Sequence, residues 1–317
     1  MLIFITLGQH RIPIAVPDIK TSMSIVLKPE NVLPVRARLG EGPIWNAVKQ
    51  VLHWVDIYNR RVHTFDPASG EDTYYEVDTV VSGLFLEEEG FLILAQENGL
   101  TRLNLHNGTT TPVVSVEAEQ PDNRLNDVRA DGRGRRWIGT MNNDEQPKAN
   151  LYRHDPNGSL HLMETGLSIS NGLGWSPDQT IFYLTDTPRQ VIYAYDFDAD
   201  AGTIGDRHPL VQLVGESFYP DGLTIDAEGC IWSAMWNGWC VIRFDPDGKE
   251  MLRVSLPVPL VTSCTFGGEN LTDLFITTAS AGLSQAELKK SVEAGDLFCL
   301  QTDIKGQPTG PSTRLNQ

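Results

Sequence analysis

Six polar residues recur along the sequence at similar intervals, and each stands at a tight turn before an apolar run. They are Glu41, Ser82, Asn126, Asn171, Asp221 and Ser263. The residues that follow them occupy positions 42, 83, 127, 172, 222 and 264, so the spacings are 41, 44, 45, 50 and 42. Repeats of roughly 40 to 50 residues are typical of propeller blades. Because all six side chains carry oxygen, we expect chemistry at this set, called the ring residues below.

The ring residues are suited to holding a metal ion. In a propeller the first strand of each blade runs beside the central axis, so the six side chains gather at one mouth of the channel. Converging carboxylates repel one another unless a cation lies among them. Glu41 and Asp221 balance the charge of a hard divalent ion, and Asn171 adds a neutral oxygen. The alternative is that turns simply favour Asp, Asn and Ser, which explains Ser82 and Ser263 but not Glu41.

Other chemistry finds little support in the sequence. It contains no G-x-S-x-G, no H-E-x-x-H and no P-loop. None of the seven histidines belongs to the ring set, which disfavours zinc bound by histidine. The 25 Lys and Arg residues against 41 Asp and Glu give a net charge of −16, which argues against nucleic acid or an anionic membrane as a partner.

The elements that must position the ring residues are short strands. The first repeat has strand-like runs at Gly42–Trp45, Val51–Asp56, Arg61–Asp66 and Thr73–Val77. The same order of apolar runs and turns recurs after Asn171 and after Asp221. The pattern predicts an all-β fold, a six-bladed β-propeller of four-stranded antiparallel blades around a central channel. A helix is predicted over Ser284–Ala294 alone, where Ser284 and Glu287 form a capping box.

The two ends of the propeller are predicted to close the ring. Asn31–Arg38 reads as an edge strand, and Gly295–Leu300 offers it a partner in the last blade. Residues 23–317 then form one propeller domain, preceded by an extension over residues 1–22 that we expect to be disordered. The apolar start Met1–Leu7 lacks the basic region of a signal peptide and is too short for a membrane span. The four cysteines lack C-x-x-C spacing and are expected to be free thiols, so we expect a cytoplasmic protein.

Six short stretches in order, at blade spacing, carry a family resemblance. They are Leu39-Gly40-Glu41-Gly42-Pro43, Arg124-Leu125-Asn126-Asp127, Gly139-Thr140-Met141, Ser170-Asn171-Gly172-Leu173, Pro220-Asp221-Gly222 and Thr262-Ser263-Cys264-Thr265-Phe266-Gly267-Gly268. At these stretches the chain resembles the gluconolactonase and regucalcin (senescence marker protein) family of sugar-lactone lactonases. The resemblance implies a six-bladed propeller with one divalent metal ion, calcium first, with zinc, manganese or magnesium as alternatives.

The resemblance also implies roles for particular residues. The metal ligands by position are Glu41, Asn171 and Asp221, and the substrate-binding residues are Arg124, Asn126 and Asp144. Several relatives carry Glu at the position of Asp144, which makes the adjacent Glu145 a rival for this role. The implied general base is Asp221.

The resulting hypothesis is metal-dependent hydrolysis of a sugar (aldonic acid) lactone to the open-chain sugar acid. The metal polarises the lactone carbonyl, and Asp221 takes a proton from the attacking water. Two alternatives stay open, an organophosphate-ester hydrolase on the same metal site and a non-enzymatic calcium-binding propeller. Trp236 and Trp239, which flank a turn, either pack between sheets or rim the pocket and stack on a sugar face.

Overall fold

Residues 28–309 are described in full by the computed structural model of the chain. Before them it gives the backbone of two strands, β1 (Leu2–Leu7) and β2 (His10–Ala15), which pair antiparallel as a separate sheet. Positions 1, 8, 9, 16–27 and 310–317 lie outside the described residues. The expectation for residues 1–22 therefore falls partly on undescribed positions and stays a prediction.

Within the described residues, six sheets of four antiparallel strands follow one another, which confirms the predicted six-bladed β-propeller. One strand precedes the first blade, β3 (Glu30–Leu33). Blade one consists of β4 (Gly40–Asn46), β5 (Val51–Asp56), β6 (Arg61–Asp66) and β7 (Glu71–Glu76). Blade two consists of β8 (Val81–Leu86), β9 (Phe91–Gln96), β10 (Gly99–Asn104) and β11 (Thr110–Ser115). Blade three consists of β12 (Asn123–Ala130), β13 (Arg136–Asn142), β14 (Ala149–His154) and β15 (Leu160–Leu167).

Blade four consists of β16 (Ser170–Trp175), β17 (Ile181–Asp186), β18 (Val191–Asp198), β19 (Thr203–Ile204) and β20 (His208–Gln212). Blade five consists of β21 (Tyr219–Ile225), β22 (Ile231–Trp236), β23 (Cys240–Phe244) and β24 (Glu250–Ser255). Blade six consists of β25 (Val261–Gly267), β26 (Asp273–Thr278) and β27 (Leu297–Gln301), together with β3. The short strand β19 is an addition to blade four, where it pairs with the end of β18. Blades one to five are meanders from the channel outwards, and the outer strand of blade six is β3.

Each blade runs from a buried inner strand to an exposed outer strand. In blade two, β8 is buried along its whole length, whereas every residue of β11 is at least partly exposed. Inner strands pack against the inner strands of both neighbouring blades. The approach is close, because a Cβ atom added at Gly222 would lie 2.2 Å from Ser263 Oγ in the next blade. Glycine after the ring residue Asp221 is thus a packing requirement.

Aromatic side chains fill the space between blades. Trp137 and Trp175, from blades three and four, meet edge to face with ring centroids 5.8 Å apart. Trp45 and Phe275, from blades one and six, stack at 5.5 Å. Aromatic side chains bury large apolar areas, so these contacts hold neighbouring sheets together and keep the channel mouth in place.

The sixth blade is completed by the chain's own beginning, as predicted. β3 pairs antiparallel with β27, with Leu33 opposite Leu297. The buried Asp296 carboxylate fixes the junction by accepting hydrogen bonds from Asn31 Nδ2 at 2.8 Å and from the Arg36 amide at 2.9 Å. The strand is shorter than expected because Pro34 lacks the N–H that a further ladder bond requires.

The predicted helix is present but short. α1 (Gln285–Lys290) begins after Ser284, whose side chain and that of Glu287 form the expected capping box. It ends at Lys290, with Ser291 as its C-cap, rather than at Ala294. All four cysteines are free thiols, also as predicted. Among the described residues, no helix has the length and apolar character required to cross a membrane.

Candidate active site

Four of the six ring residues meet in one pocket of about 480 Å³ at a mouth of the channel. They are Glu41, Asn126, Asn171 and Asp221, and each is between 5% and 8% exposed. The two serines have other positions. The Ser82 hydroxyl donates a hydrogen bond to the backbone carbonyl of Asn126 at 2.8 Å. Ser263 lines a smaller cavity further along the inner strands. The preference of turns for serine therefore explains these two residues without a metal ion.

A β-bulge places each ring residue. In every blade the pairing of the first and second strands shifts register at the ring position, for example between Glu41 and Ile44 and between Asn171 and Leu173. A bulge inserts one extra residue and turns a side chain away from the regular pleat. Gly42 and Gly172 follow with φ of 53° and 33°, a backbone conformation that glycine adopts without strain. The polar-residue–glycine pairs in the sequence are the mark of these bulges.

A chain of hydrogen bonds crosses the pocket wall from blade three to blade five. Arg124 Nη1 donates to Asn126 Oδ1 at 3.1 Å, and Asn126 Nδ2 donates to Asn171 Oδ1 at 3.0 Å. Asn171 Nδ2 then donates to Thr187 Oγ1 at 2.9 Å, and the Thr187 hydroxyl donates to the Pro220 carbonyl at 2.8 Å. Each donor in this chain orients the next acceptor. The Asn171 carbonyl oxygen keeps a second lone pair for a ligand in the pocket.

Two of the three carboxylates that line the pocket, Glu41 and Asp221, are buried, and burial disfavours their charged forms. Burial raises the pKa of Glu41 well above its ordinary value, and the charges of Asp221 and Asp127 raise it further. Burial, followed by the charge of Asp127, also raises the pKa of Asp221. Asp221 Oδ1 is buried without a hydrogen-bond partner among the described residues. A buried carboxylate without a partner is costly, and a bound cation would compensate its charge.

The donor set fits a hard divalent cation. Glu41 and Asp221 supply two carboxylates, and Asn171 supplies an amide oxygen that is already oriented by Asn126. All of these donors are oxygens, which suits calcium or magnesium better than a soft metal. The orphaned Oδ1 atom of Asp221 is the specific observation in favour of this fit.

The loop after β13 places Glu145, not Asp144, on the pocket. The buried Asn142 side chain organises this loop, because its Oδ1 accepts hydrogen bonds from the Asp144 and Gln146 amides at 3.2 and 3.1 Å. Glu145 follows with φ of 57°. Asp144 is exposed and lies outside the pocket lining, although the resemblance gave it the substrate-binding role.

Several pocket residues were not identified from the sequence. Thr187 stands at the start of a 3₁₀ turn, Thr187–Arg189, that follows the second strand of blade four. Tyr58 and Tyr219 also line the pocket. Tyr219 precedes Asp221 by two residues, so strand alternation is the signal that could have identified it. Of the two tryptophans left open above, Trp236 lines the pocket and Trp239 does not.

A second acidic cluster has a structural explanation. Asp226, Glu228 and Cys230 lie close enough to share a metal ion. The Arg243 guanidinium, however, donates to Asp226 Oδ2 at 2.8 Å and to Glu228 Oε2 at 2.5 Å. Asp226 also accepts hydrogen bonds from Trp232 Nε1 and from the Cys230 amide, both at 2.9 Å. Its charge is therefore already compensated by the protein.

Fold and site together define a class: six-bladed propellers with an acidic, all-oxygen site at one mouth of the channel. Residues 39–280 match the family model described as the SMP-30/gluconolactonase/LRE-like region, a span that includes all six ring residues. The chain belongs to this family, as its short motifs predicted.

Relatives cover nearly the whole chain. A pentonolactonase of Haloferax volcanii is 35% identical over 283 residues, which cover 87% of this chain and 95% of the relative. Regucalcin of Gallus gallus is 35% identical over 284 residues, with the same two coverages of 87% and 95%. Among solved structures, a calcium-binding protein, regucalcin, from Agrobacterium tumefaciens superposes with a TM-score of 0.87 at 28% identity and covers 91% of this chain and 98% of its own.

Proposed function

We propose that this protein is a lactonase that hydrolyses a sugar lactone to the open-chain sugar acid at a divalent metal site. The ligands proposed for the metal are Glu41, Asn171 and Asp221. The observation that carries the proposal is the pair of buried carboxylates beside an oriented amide in a pocket of small-molecule size. Family membership and the pentonolactonase relative support the substrate class.

The metal's contribution is limited to electrostatics. A bound divalent cation would polarise the lactone carbonyl and make a nearby water more acidic. The calcium-binding structural relative favours calcium for this chain, with magnesium, manganese or zinc as the alternatives to be compared. The all-oxygen donor set described above supports the same order.

Asp221 is the proposed general base. Asp221 would help to hold the cation, and its carboxylate accepts a proton from water as the water oxygen bonds to the lactone carbonyl carbon. The bond from that carbon to the ring oxygen then breaks. Asp221 returns the proton to the departing ring oxygen, which becomes a hydroxyl, so the base is regenerated and the product is the hydroxy acid.

Arg124 and Asn126 are proposed to orient the substrate. Arg124 Nη1 is anchored by the Leu125 carbonyl at 2.8 Å and by Asn126 Oδ1. The remaining guanidinium nitrogens of Arg124 make no hydrogen bond to the described residues, so they are available to substrate oxygens. Glu145, at the rim of the same pocket, is the proposed acceptor for a sugar hydroxyl in place of Asp144.

A lactone panel tests the proposal. The protein is freed of metal with a chelator and reloaded in turn with calcium, magnesium, manganese or zinc, and hydrolysis of several aldonolactones is followed with the spontaneous rate subtracted. We expect metal-dependent turnover that Asp221→Asn abolishes. Turnover of a fluorophosphate instead of every lactone indicates the organophosphate hydrolase. Metal binding lost in Glu41→Gln without any turnover in the parent protein indicates a calcium-binding propeller.

A further inference from the structure

The pocket has two chemically different walls. Blades three and four contribute five hydrogen-bonding side chains, called the hydrogen-bonding wall, together with the apolar Met141, Ile169 and Pro188; the five are Arg124, Asn126, Glu145, Asn171 and Thr187. Blades one and five contribute the side chains of Leu39, Ile57 and Trp236 and the rings of Tyr58 and Tyr219, called the apolar wall. The carboxylates Glu41 and Asp221 come from the same two blades as the apolar wall, because Glu41 follows Leu39 by two residues and Asp221 follows Tyr219 by two residues on β21. A substrate held at these carboxylates therefore has one side against hydrogen-bonding groups and the other against apolar groups.

The apolar wall is built into the fold. Tyr219 and Trp236 are directly opposite each other on β21 and β22, so their side chains share one face of the sheet. Trp236 packs against the buried cluster that contains Leu39 and Ile57. An isolated bridge between Trp236 and Leu260 fixes the end of its strand. The wall is thus formed before any substrate arrives.

This wall has little capacity for hydroxyl groups. Leu39 and Ile57 offer no hydrogen-bonding side-chain atom, the Trp236 ring has a single N–H, and Tyr58 and Tyr219 each carry one hydroxyl at the end of the ring. The ring faces and the aliphatic side chains, which make up most of the wall, offer no partner. Burying a hydroxyl against such a surface without a partner is unfavourable, whereas C–H bonds pack well on an indole face. Among the described residues, Arg124 is the one cation that lines the pocket, and it lies on the other wall.

We propose that Trp236 and Tyr219 form a subsite for a bare C–H face of the substrate, so that the enzyme selects lactones whose hydroxyls are gathered on one face of the ring. The proposal rests on the lactonase function proposed above and assigns it a stereochemical preference. The hydroxyl-bearing face meets Arg124 and Glu145. An epimer with a hydroxyl on each face must leave one of them unpaired against Trp236.

The γ-lactones of lyxonic and arabinonic acid provide the test, because they are epimers of identical composition. In the lyxonic lactone both ring hydroxyls and the hydroxymethyl group lie on one face, whereas the arabinonic lactone has ring hydroxyls on both faces. Both enantiomeric series are measured, and the better enantiomer of each epimer is compared. We expect kcat/KM to favour the lyxonic lactone by about tenfold or more, the discrimination expected when one hydroxyl loses its partner.

Variants of the apolar wall then test its cause. Trp236→Ala is expected to bring the ratio of kcat/KM values close to one, mainly by slowing hydrolysis of the lyxonic lactone. Tyr219→Ala, at a side chain that is 38% exposed, is expected to lower the ratio in the same direction and covers the case in which Trp236→Ala does not fold. The matched control is Trp239→Ala, three residues along and outside the pocket, which is expected to leave the ratio unchanged.

The outcomes separate this inference from the lactonase proposal. If neither epimer nor any other lactone is hydrolysed faster than in buffer, the lactonase function is wrong. If both epimers are hydrolysed with similar kcat/KM, the C–H subsite is wrong and the lactonase function stands. A strong preference that persists unchanged in Trp236→Ala and Tyr219→Ala also overturns the subsite, because the selectivity then originates elsewhere.

Discussion

Asn126 Nδ2 donates a hydrogen bond to Asn171 Oδ1 at 3.0 Å, which joins the inner strands of blades three and four inside the pocket. The same Asn126 amide group also donates to the Ser170 carbonyl at 3.0 Å. The acceptor is the atom of Asn171 proposed to bind the metal. Asn126 therefore orients a metal ligand as well as facing the substrate, a role that residue type alone does not reveal.

Asn126→Ala is expected to weaken metal binding by about 10- to 100-fold, because removing a group that orients a metal ligand has effects of that size. Calcium affinity of the metal-free protein, measured by calorimetry, checks this. Asn150→Ala is the matched control, since it removes an amide that bonds to Glu117 away from the pocket. Unchanged calcium affinity in Asn126→Ala would show that Asn171 needs no such orientation.

Neutralising one pocket carboxylate is expected to stabilise the metal-free protein. Glu41→Gln and Asp221→Asn each remove a carboxylate whose own pKa is raised by burial, so its charged form is unfavourable in the folded protein, and a relief of one pKa unit is worth about 1.4 kcal/mol. Chemical denaturation in chelator should show a higher free energy of unfolding for both variants than for the parent. With calcium the order should reverse, because a ligand at 100 times its Kd stabilises the parent by about 2.7 kcal/mol.

Exposed Asp144→Asn is the control for that experiment and is expected to change neither value. If Glu41→Gln and Asp221→Asn are less stable than the parent in chelator, these carboxylates are held by protein contacts and not by a cation.

Glu145→Gln is expected to raise KM for the sugar lactone several-fold with little change in kcat, because Glu145 lines the pocket but is neither a proposed metal ligand nor the proposed base. Asp144→Asn, one residue earlier and outside the pocket, should leave KM unchanged. Steady-state kinetics on one lactone decides between the two. The reverse result would restore the role that the family resemblance gave to Asp144.

His53 is expected to make the protein less stable in mild acid. Burial, with a contribution from the charge of Lys49, lowers the pKa of His53 to about 4. The unfolded chain, with an ordinary histidine pKa near 6.5, then binds more protons than the folded one between these values. The stability due to neutral His53 is complete above about pH 6.5 and is lost as the pH falls towards 4, by roughly 3 kcal/mol.

Urea unfolding of the parent and of His53→Gln across this pH range measures the effect. The variant should lose a substantial part of the pH dependence, whereas the exposed His208→Gln should not. Equal slopes in the parent and in His53→Gln would mean that other groups cause the acid sensitivity.

Much of the propeller was predictable because its signals are local. Strand runs such as Val51–Asp56 and Arg61–Asp66 have the predicted bounds, since turn residues and β-branched runs mark both ends. The closing pair of β3 with β27 was also predictable, because a blade short of one strand needs a partner from the other end. Boundaries that depend on a single turn, such as the end of α1, were less accurate.

Only those residues of the candidate site that occupy the repeated position in each blade were predictable from the sequence. Glu41, Asn171 and Asp221 share a bulge position, so the period alone brings them together. The spacing of the repeats does not show that the Ser82 hydroxyl bonds to the backbone carbonyl of Asn126, because that bond depends on a contact between two blades. Nor can it distinguish Asp144 from Glu145, because the loop conformation depends on the buried side chain of Asn142.

The pairing of β3 with β27, which joins the two ends of the propeller, has a consequence for biosynthesis. β3 is synthesised before the first blade, but its partner β27 lies 264 residues later, counted from Leu33 to Leu297. The nascent polypeptide therefore carries an unpaired strand until β27 has been made, and no set of earlier blades can close the propeller. The pocket is completed only after β27 is made, because Leu39 and Glu41 lie six and eight residues after the end of β3.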